Sequence, residues 1–189
     1  MVYQGEINGI PVKTGDLICT SDGDTGDIQG QLWRFIGKFI PGEVDHIVIY
    51  TGPDGWCVEA GAQLHVIKFE MSQPFWDARA MIDKRGPLLD VFHGVAYPFA
   101  RKNLPMEEED RLREKVAAYC LDQAKQNKPY NVNFFDSSTD KAFYCSQLAY
   151  KAYLEVGIDL NTGQGVPHLP GTGSIIFPQE IWSGCDHRS

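Results

Sequence analysis

The stretch of residues 44–60, VDHIVIYTGPDGWCVEA, has the least freedom in how it folds. Residues 44–51 are rich in β-branched side chains, Pro53-Asp54-Gly55 is a turn, and residues 56–60 resume an extended run, the pattern of a β-hairpin. Side chains alternate along a strand, so His46, Val48 and Tyr50 share one face, and Asp45 points away from it. The parity of the turn decides what meets His46. A loop of Asp54-Gly55, or of Gly52 to Gly55, puts Glu59 on the His46 face, directly opposite or diagonal and within reach of a long side chain. A loop of odd length sends Glu59 to the other face.

Around the hairpin the chain reads as α+β, an antiparallel sheet from the first half packed against helices. Residues 16–20 (DLICT) form a short strand after the Thr14-Gly15 turn, and residues 64–69 and 88–95 read as further strands. Residues 28–39 carry Ile28, Leu32, Phe35, Ile36 and Phe39 at helical spacing, with Asp27 as N-cap and Pro41-Gly42 as the stop. A second helix starts at Pro105 with Glu107, Glu108, Glu109 and Asp110 in its first turn and ends near Asn127. Its apolar face is Leu112, Val116, Tyr119 and Cys120. A third runs from about Tyr144 to Glu155, burying Leu148, Ala149, Ala152 and Tyr153, and stops at Gly157. Residues 163–174 are rich in Gly and Pro, and 175–182 look ordered again. At ~150 residues per domain, residues 1–189 are expected to form one domain.

Charge narrows the partners. With 17 Lys and Arg against 25 Asp and Glu, the net charge is −8. Such a chain is a poor candidate for gripping nucleic acid or an anionic membrane through net charge. No apolar run approaches the ~20 residues of a spanning helix, and the opening MVYQGEINGIPVKTGDLI has no basic segment followed by an apolar one. A cytoplasmic location is the expectation. Cys19, Cys57, Cys120, Cys145 and Cys185 form no CxxC pair, and the His residues do not cluster at zinc-ligand spacing. Reduced thiols and no zinc site are expected.

Among the thiols Cys145 stands apart, because FYCSQLAYKAY places it at or next to a helix N-terminus. Free backbone N–H groups and a partial positive charge there lower a thiol pKa and can hold an oxyanion. Cys120 lies mid-helix, Cys57 is a minor rival on the Glu59 face, and Cys19 and Cys185 have no base nearby in sequence. A thiol nucleophile needs a base, for which His46 is best placed, and a third group to orient the imidazole, for which the hairpin offers Glu59. The plainer alternatives are a hydrogen-bonded sheet histidine and a solvated strand carboxylate. Tyr144 and Tyr50 flank the proposed site and are candidates to line a pocket, or else core aromatics.

GDLI near the start, then DHIVIYTG, VEAGA, NKPYNVNFFDSSTDKAFYCSQLAYKAY and the late IIFPQEIW resemble the YaeF/YiiX family across nearly the whole chain. That family is a circularly permuted branch of the papain-like NlpC-type cell-wall peptidase superfamily, in which the strand His and its partner precede the Cys helix. The resemblance implies a permuted papain-like fold with Cys145 as nucleophile, His46 as base and Glu59 as third member. It implies amide cleavage through a thioester, without cofactor. Relatives in the wider superfamily cut peptide stems of murein. This chain shows no wall-binding module, so a small peptide or amino-acid amide, such as a wall fragment, is the expected substrate. Lecithin–retinol acyltransferase-like proteins share the His-before-Cys order, and an acyl lipid is the runner-up substrate. They typically carry a second His where Glu59 stands and Asn-Cys-Glu-His around the nucleophile, whereas this chain has Tyr144-Cys145-Ser146-Gln147. An inactive binding module is the remaining alternative.

Overall fold

The computed structural model describes residues 1–21, 41–167 and 170–189. The helix predicted over 28–39 lies outside them. Strands β1 (Gln4–Ile7) and β2 (Ile10–Lys13) form a separate two-stranded hairpin. Its turn is Asn8-Gly9, with φ of +51° and +79°, the double positive φ of a two-residue type I′ connection. Strands β3 (Leu17–Ser21), β4 (His46–Tyr50), β5 (Trp56–Ala60), β6 (Val66–Glu70), β7 (Val91–Tyr97) and β8 (Asp186–Arg188) make one sheet in the order β6-β5-β4-β3-β7-β8. Every neighbouring pair is antiparallel.

Among the described residues four helices accompany the sheet: α1 (Ile82–Arg85), α2 (Met106–Lys125), α3 (Cys145–Leu154) and α4 (Pro178–Gly184). Pro105 caps α2 from outside, in extended conformation, and three glutamates occupy the first turn, complementing the helix dipole. Pro178 opens α4, where the Glu180 carboxylate accepts the Phe177 N–H at 2.7 Å. None of these helices is long and apolar enough to cross a membrane.

Both faces of the sheet are buried, so the HIVIY strand is covered along its full length. Leu17, Cys19, Ile47, Ile49, Val58 and Ala60 face the helices and pack with Val116, Cys120, Leu148, Ala149, Ala152 and Tyr153. The opposite face, with Ile18, Val48, Tyr50, Cys57, Phe69 and Val95, is covered by Ile7 and Val12 of the hairpin and by Trp76 and Met81. The anticipated apolar stripes of α2 and α3 are therefore the ones that pack, with Leu112 and Tyr119 half-buried at the edge.

Several boundaries move for local reasons. β3 starts one residue late because Asp16 turns inward, accepting the Lys13 N–H at 2.7 Å and pairing with Arg113 of α2 at 2.7 Å. β6 starts at Val66 because Leu64 has φ of +60°, outside the strand region. β7 starts at Val91, since Asp90 is held aside by an ion pair to Arg85.

Leu148, fully buried between α3 and the sheet, sets a measurable scale. Leu148→Ala is expected to lower unfolding free energy in urea by about 3 kcal/mol. A loss below about 1 kcal/mol would mean that α3 is not packed on the sheet as described.

Candidate active site

β4 and β5 pair Ile49 with Val58 and Tyr50 with Cys57. Carried one residue further, this register sets Val48 opposite Glu59, so Glu59 is the diagonal neighbour of His46 on the same face. The register is the one expected for a Gly52–Gly55 loop; Asp54 and Gly55 take the positive φ that closes it. Glu59 Oε2 lies 2.7 Å from His46 Nε2, and both residues are buried.

His46 is the first residue of β4. Cys145 is the first residue of α3, and its side chain lies close enough to the His46 imidazole to raise the imidazole pKa. With Nε2 engaged by Glu59, Nδ1 is the ring nitrogen left to face the sulfur. One imidazole thus connects a helix N-terminus on one face of the sheet with a carboxylate on the other.

The first turn of α3 is fixed by its neighbours. Gln147 Oε1 accepts the Tyr144 N–H at 3.2 Å and a proton from Asn131 Nδ2 at 3.0 Å. Ser146 Oγ donates to the Ile176 carbonyl at 2.7 Å. The strap of residues 130–143 is thereby tied to the helix start.

Glu59 is held from behind. Arg85 Nε donates to Oε1 at 2.9 Å and Nη2 to Oε2 at 2.7 Å. The same guanidinium donates to Asp90 through Nη1 at 2.8 Å and Nη2 at 3.1 Å, and Thr20 Oγ1 donates to Asp90 at 2.6 Å. Sequence reasoning missed Arg85 and Asp90. Neither sits in a motif, and only the folding of the 71–90 segment over the sheet brings them to Glu59.

The electrostatics follow from these contacts. Burial alone would raise the Glu59 carboxyl, but the Arg85 charge, with His46, holds it down at about 2. Burial lowers the His46 pKa, yet Cys145 and Glu59 outweigh it and hold the imidazole well above its ordinary value. Burial pushes the thiols of Cys19, Cys57, Cys120 and Cys185 up, that of Cys185 to about 12. Cys57, the minor rival, is therefore a fully buried thiol in the second core.

The two tyrosines expected to line a pocket do not do so. Tyr50 shares the His46 face but stands four residues along β4, about 13 Å away at ~3.3 Å per residue. It is 1% exposed, packed against Ile18 and Val48. Its ring fits only because residue 5 is glycine; a Cβ there would lie 2.9 Å from the phenol oxygen. Tyr144 is 2% exposed, with a hydroxyl that accepts the Ile176 N–H at 3.0 Å and a ring edge-on to Phe134 at 5.3 Å. It braces the strap rather than opening onto a cavity. Tyr130, passed over in the sequence, also neighbours the site: burial raises its hydroxyl pKa and the neighbouring Cys145 raises it further.

A thiol, a base and an orienting carboxylate in this order can generate a nucleophile and shuttle one proton. Among the described residues no three His, Cys, Asp or Glu side chains are grouped to hold a metal ion. No protein-family model, no curated protein and no solved structure matches the chain.

The shifted groups set a pH dependence of stability. Glu59, at about 2 in the fold against ~4.3 unfolded, stabilises the fold fully above pH ~4.3, and this is lost as pH falls towards 2, roughly 3 kcal/mol in all. His46, raised in the fold, contributes stability that is complete below ~6.5 and is lost as pH rises through its folded value. Urea unfolding is expected to show greatest stability between these limits, with the acid decline markedly shallower in Glu59→Gln. An unchanged acid decline in that variant would contradict the assignment.

Proposed function

We propose that this protein is a cysteine hydrolase of the permuted papain-like kind, cleaving an amide bond in a small peptide or amino-acid amide. The observation that carries this reading is the single imidazole of His46, 2.7 Å from the Glu59 carboxylate and with the Cys145 side chain close enough to raise its pKa. The chain order, His46 and Glu59 before Cys145, and the motifs resembling the YaeF/YiiX family support the same reading. An inactive binding module would not need a buried carboxylate kept ionised against the imidazole.

The steps follow from the groups in place. His46 takes the Cys145 proton, leaving a thiolate–imidazolium pair stabilised by Glu59. The sulfur attacks the amide carbonyl, and the electron pair moves onto oxygen, which accepts a hydrogen bond from the Cys145 N–H at the start of α3. The C–N bond breaks as His46 protonates the departing amine, leaving a thioester. Neutral His46 then takes a proton from water, whose oxygen attacks the thioester. The acid leaves, and the proton on His46 returns to Cys145. An acidic protein of net charge −8 favours a substrate bearing a free amine.

A second reading has one observation in its favour. Leu64, Val132 and Phe135, on or beside the strap leading to Cys145, are 58%, 78% and 64% exposed. Exposed apolar side chains there suit an acyl chain, as in lecithin–retinol acyltransferase-like proteins.

Cys145→Ala is expected to abolish hydrolysis, by about three orders of magnitude or more, while the thermal midpoint stays close to wild type. Cys120→Ala is expected to cost some stability and leave turnover unchanged. A side-by-side assay of short wall-derived peptides and phospholipid vesicles separates the two readings. Peptide turnover is expected; turnover of vesicles alone would put the acyl substrate first, and full activity of Cys145→Ala would end both.

A further inference from the structure

The polar chain behind Glu59 is longer than a third catalytic member requires. We propose that Arg85 is a positioning residue for the Cys145–His46 pair: its guanidinium fork holds the Glu59 carboxylate against His46, and Asp90, fastened by Thr20, holds the fork. The proposal rests on the hydrolase reading and deepens it.

Glu59, Arg85 and Asp90 are all buried, Glu59 and Arg85 with no exposure at all. A carboxylate at such a depth with no counter-charge takes up a proton and ceases to be a pure acceptor. Arg85 supplies the charge, and its geometry does more. Nε and Nη2 grip the two Glu59 oxygens at 2.9 and 2.7 Å, which fixes the carboxylate plane and leaves Oε2 turned to His46 Nε2 at 2.7 Å. The guanidinium is itself set in place: it lies over the Trp76 ring at 4.6 Å and the Phe69 ring at 5.0 Å and is gripped on its far side by Asp90 at 2.8 and 3.1 Å. Lysine, a point charge on a flexible stem, keeps the charge and loses the fork.

The charge count is consistent with this role. Glu59, Arg85 and Asp90 together carry one net negative charge, and an imidazolium at His46 neutralises it. A purely structural ion pair would be complete with one carboxylate, and buried ion pairs are weak contributors to stability in any case. The groups around His46 are Cys145 from α3, Glu59 from β5, Thr20 opposite it on β3, Asp45 beside it in the chain, and Tyr130 on the strap near Cys145. Arg85 and Asp90 stand one layer behind.

The test is the rate of iodoacetamide alkylation at Cys145, read by peptide mass spectrometry from pH 5 to 9 on the full chain. Wild type, Glu59→Gln, Arg85→Gln, the double variant and Arg85→Lys are compared, each with its thermal midpoint. Loss of the Arg85 charge at close range moves the Glu59 titration by about one pH unit or more, and a protonated Glu59 no longer holds the imidazolium that faces Cys145. Arg85→Gln is therefore expected to shift the Cys145 profile upward by about one unit and to slow alkylation at pH 6 about tenfold. The double variant is expected to lose no more than Glu59→Gln alone, since both act through one carboxylate. Arg85→Lys is expected to recover part of the shift. A wild-type profile in Arg85→Gln, or losses that add in the double variant, overturns the proposal while leaving the hydrolase reading intact. Should Arg85→Gln fail to fold, Arg85→Lys decides: a several-fold slower Cys145 supports the fork, and a wild-type rate overturns it. A wild-type Cys145 no faster than Cys19, Cys57, Cys120 and Cys185 overturns the hydrolase reading, and this proposal with it.

Discussion

An ionised carboxylate in the middle of a sheet costs several kcal/mol unless opposite charge and hydrogen bonds meet it there. Glu59 is such a group, fully buried on β5 and held ionised by Arg85 on one side and His46 on the other. Much of the molecule on that face exists in relation to it. The 71–90 segment crosses the sheet to bring Arg85 and Asp90 into place, and Trp76 and Phe69 wall in the guanidinium. The N-terminal hairpin covers the same face further along through Ile7 and Val12. Dry surroundings strengthen each of these charge contacts.

The other face carries the thiol. α3 packs its Leu148–Ala149–Ala152–Tyr153 stripe on the sheet, which aims its first turn at the beginning of β4. Gln147 and Asn131 tie the strap to that turn, and Tyr144 and Ser146 fasten the segment at Ile176. Cys145 therefore meets His46 from a scaffold with little freedom to drift. The His46 imidazole stands between groups from the two faces, and the proposed proton shuttle depends on that position.

The sequence made some of this legible and hid the rest for definite reasons. Turn parity left Glu59 only two places, the His46 face for an even loop and the other face for an odd one, and the β4–β5 register is that of the even loop. The α2 and α3 stripes were readable because helical periodicity is strong over ten or more residues. The Asn8-Gly9 hairpin went unread although its signal is among the strongest short ones. β8, with three residues, carries no period to read. Tyr50 shows the limit of face arguments: it lies on the correct face, at the wrong end of the strand. Arg85 and Asp90 could not be read from spacing, since only a non-local crossing of the chain brings them to Glu59. The helix predicted over 28–39 falls outside the described residues.

The proposed unit of Cys145, His46 and Glu59 is tested most directly by following the His46 ring through a pH titration with nitrogen-15 NMR, in wild type and in Cys145→Ala. If the three act as one unit, the His46 ring of the wild type is a doubly protonated imidazolium at pH 7, with Nε2–H directed at Glu59. In Cys145→Ala it then deprotonates at a clearly lower pH. A neutral His46 at pH 7 in the wild type, or a titration indifferent to the loss of the thiol, would contradict it.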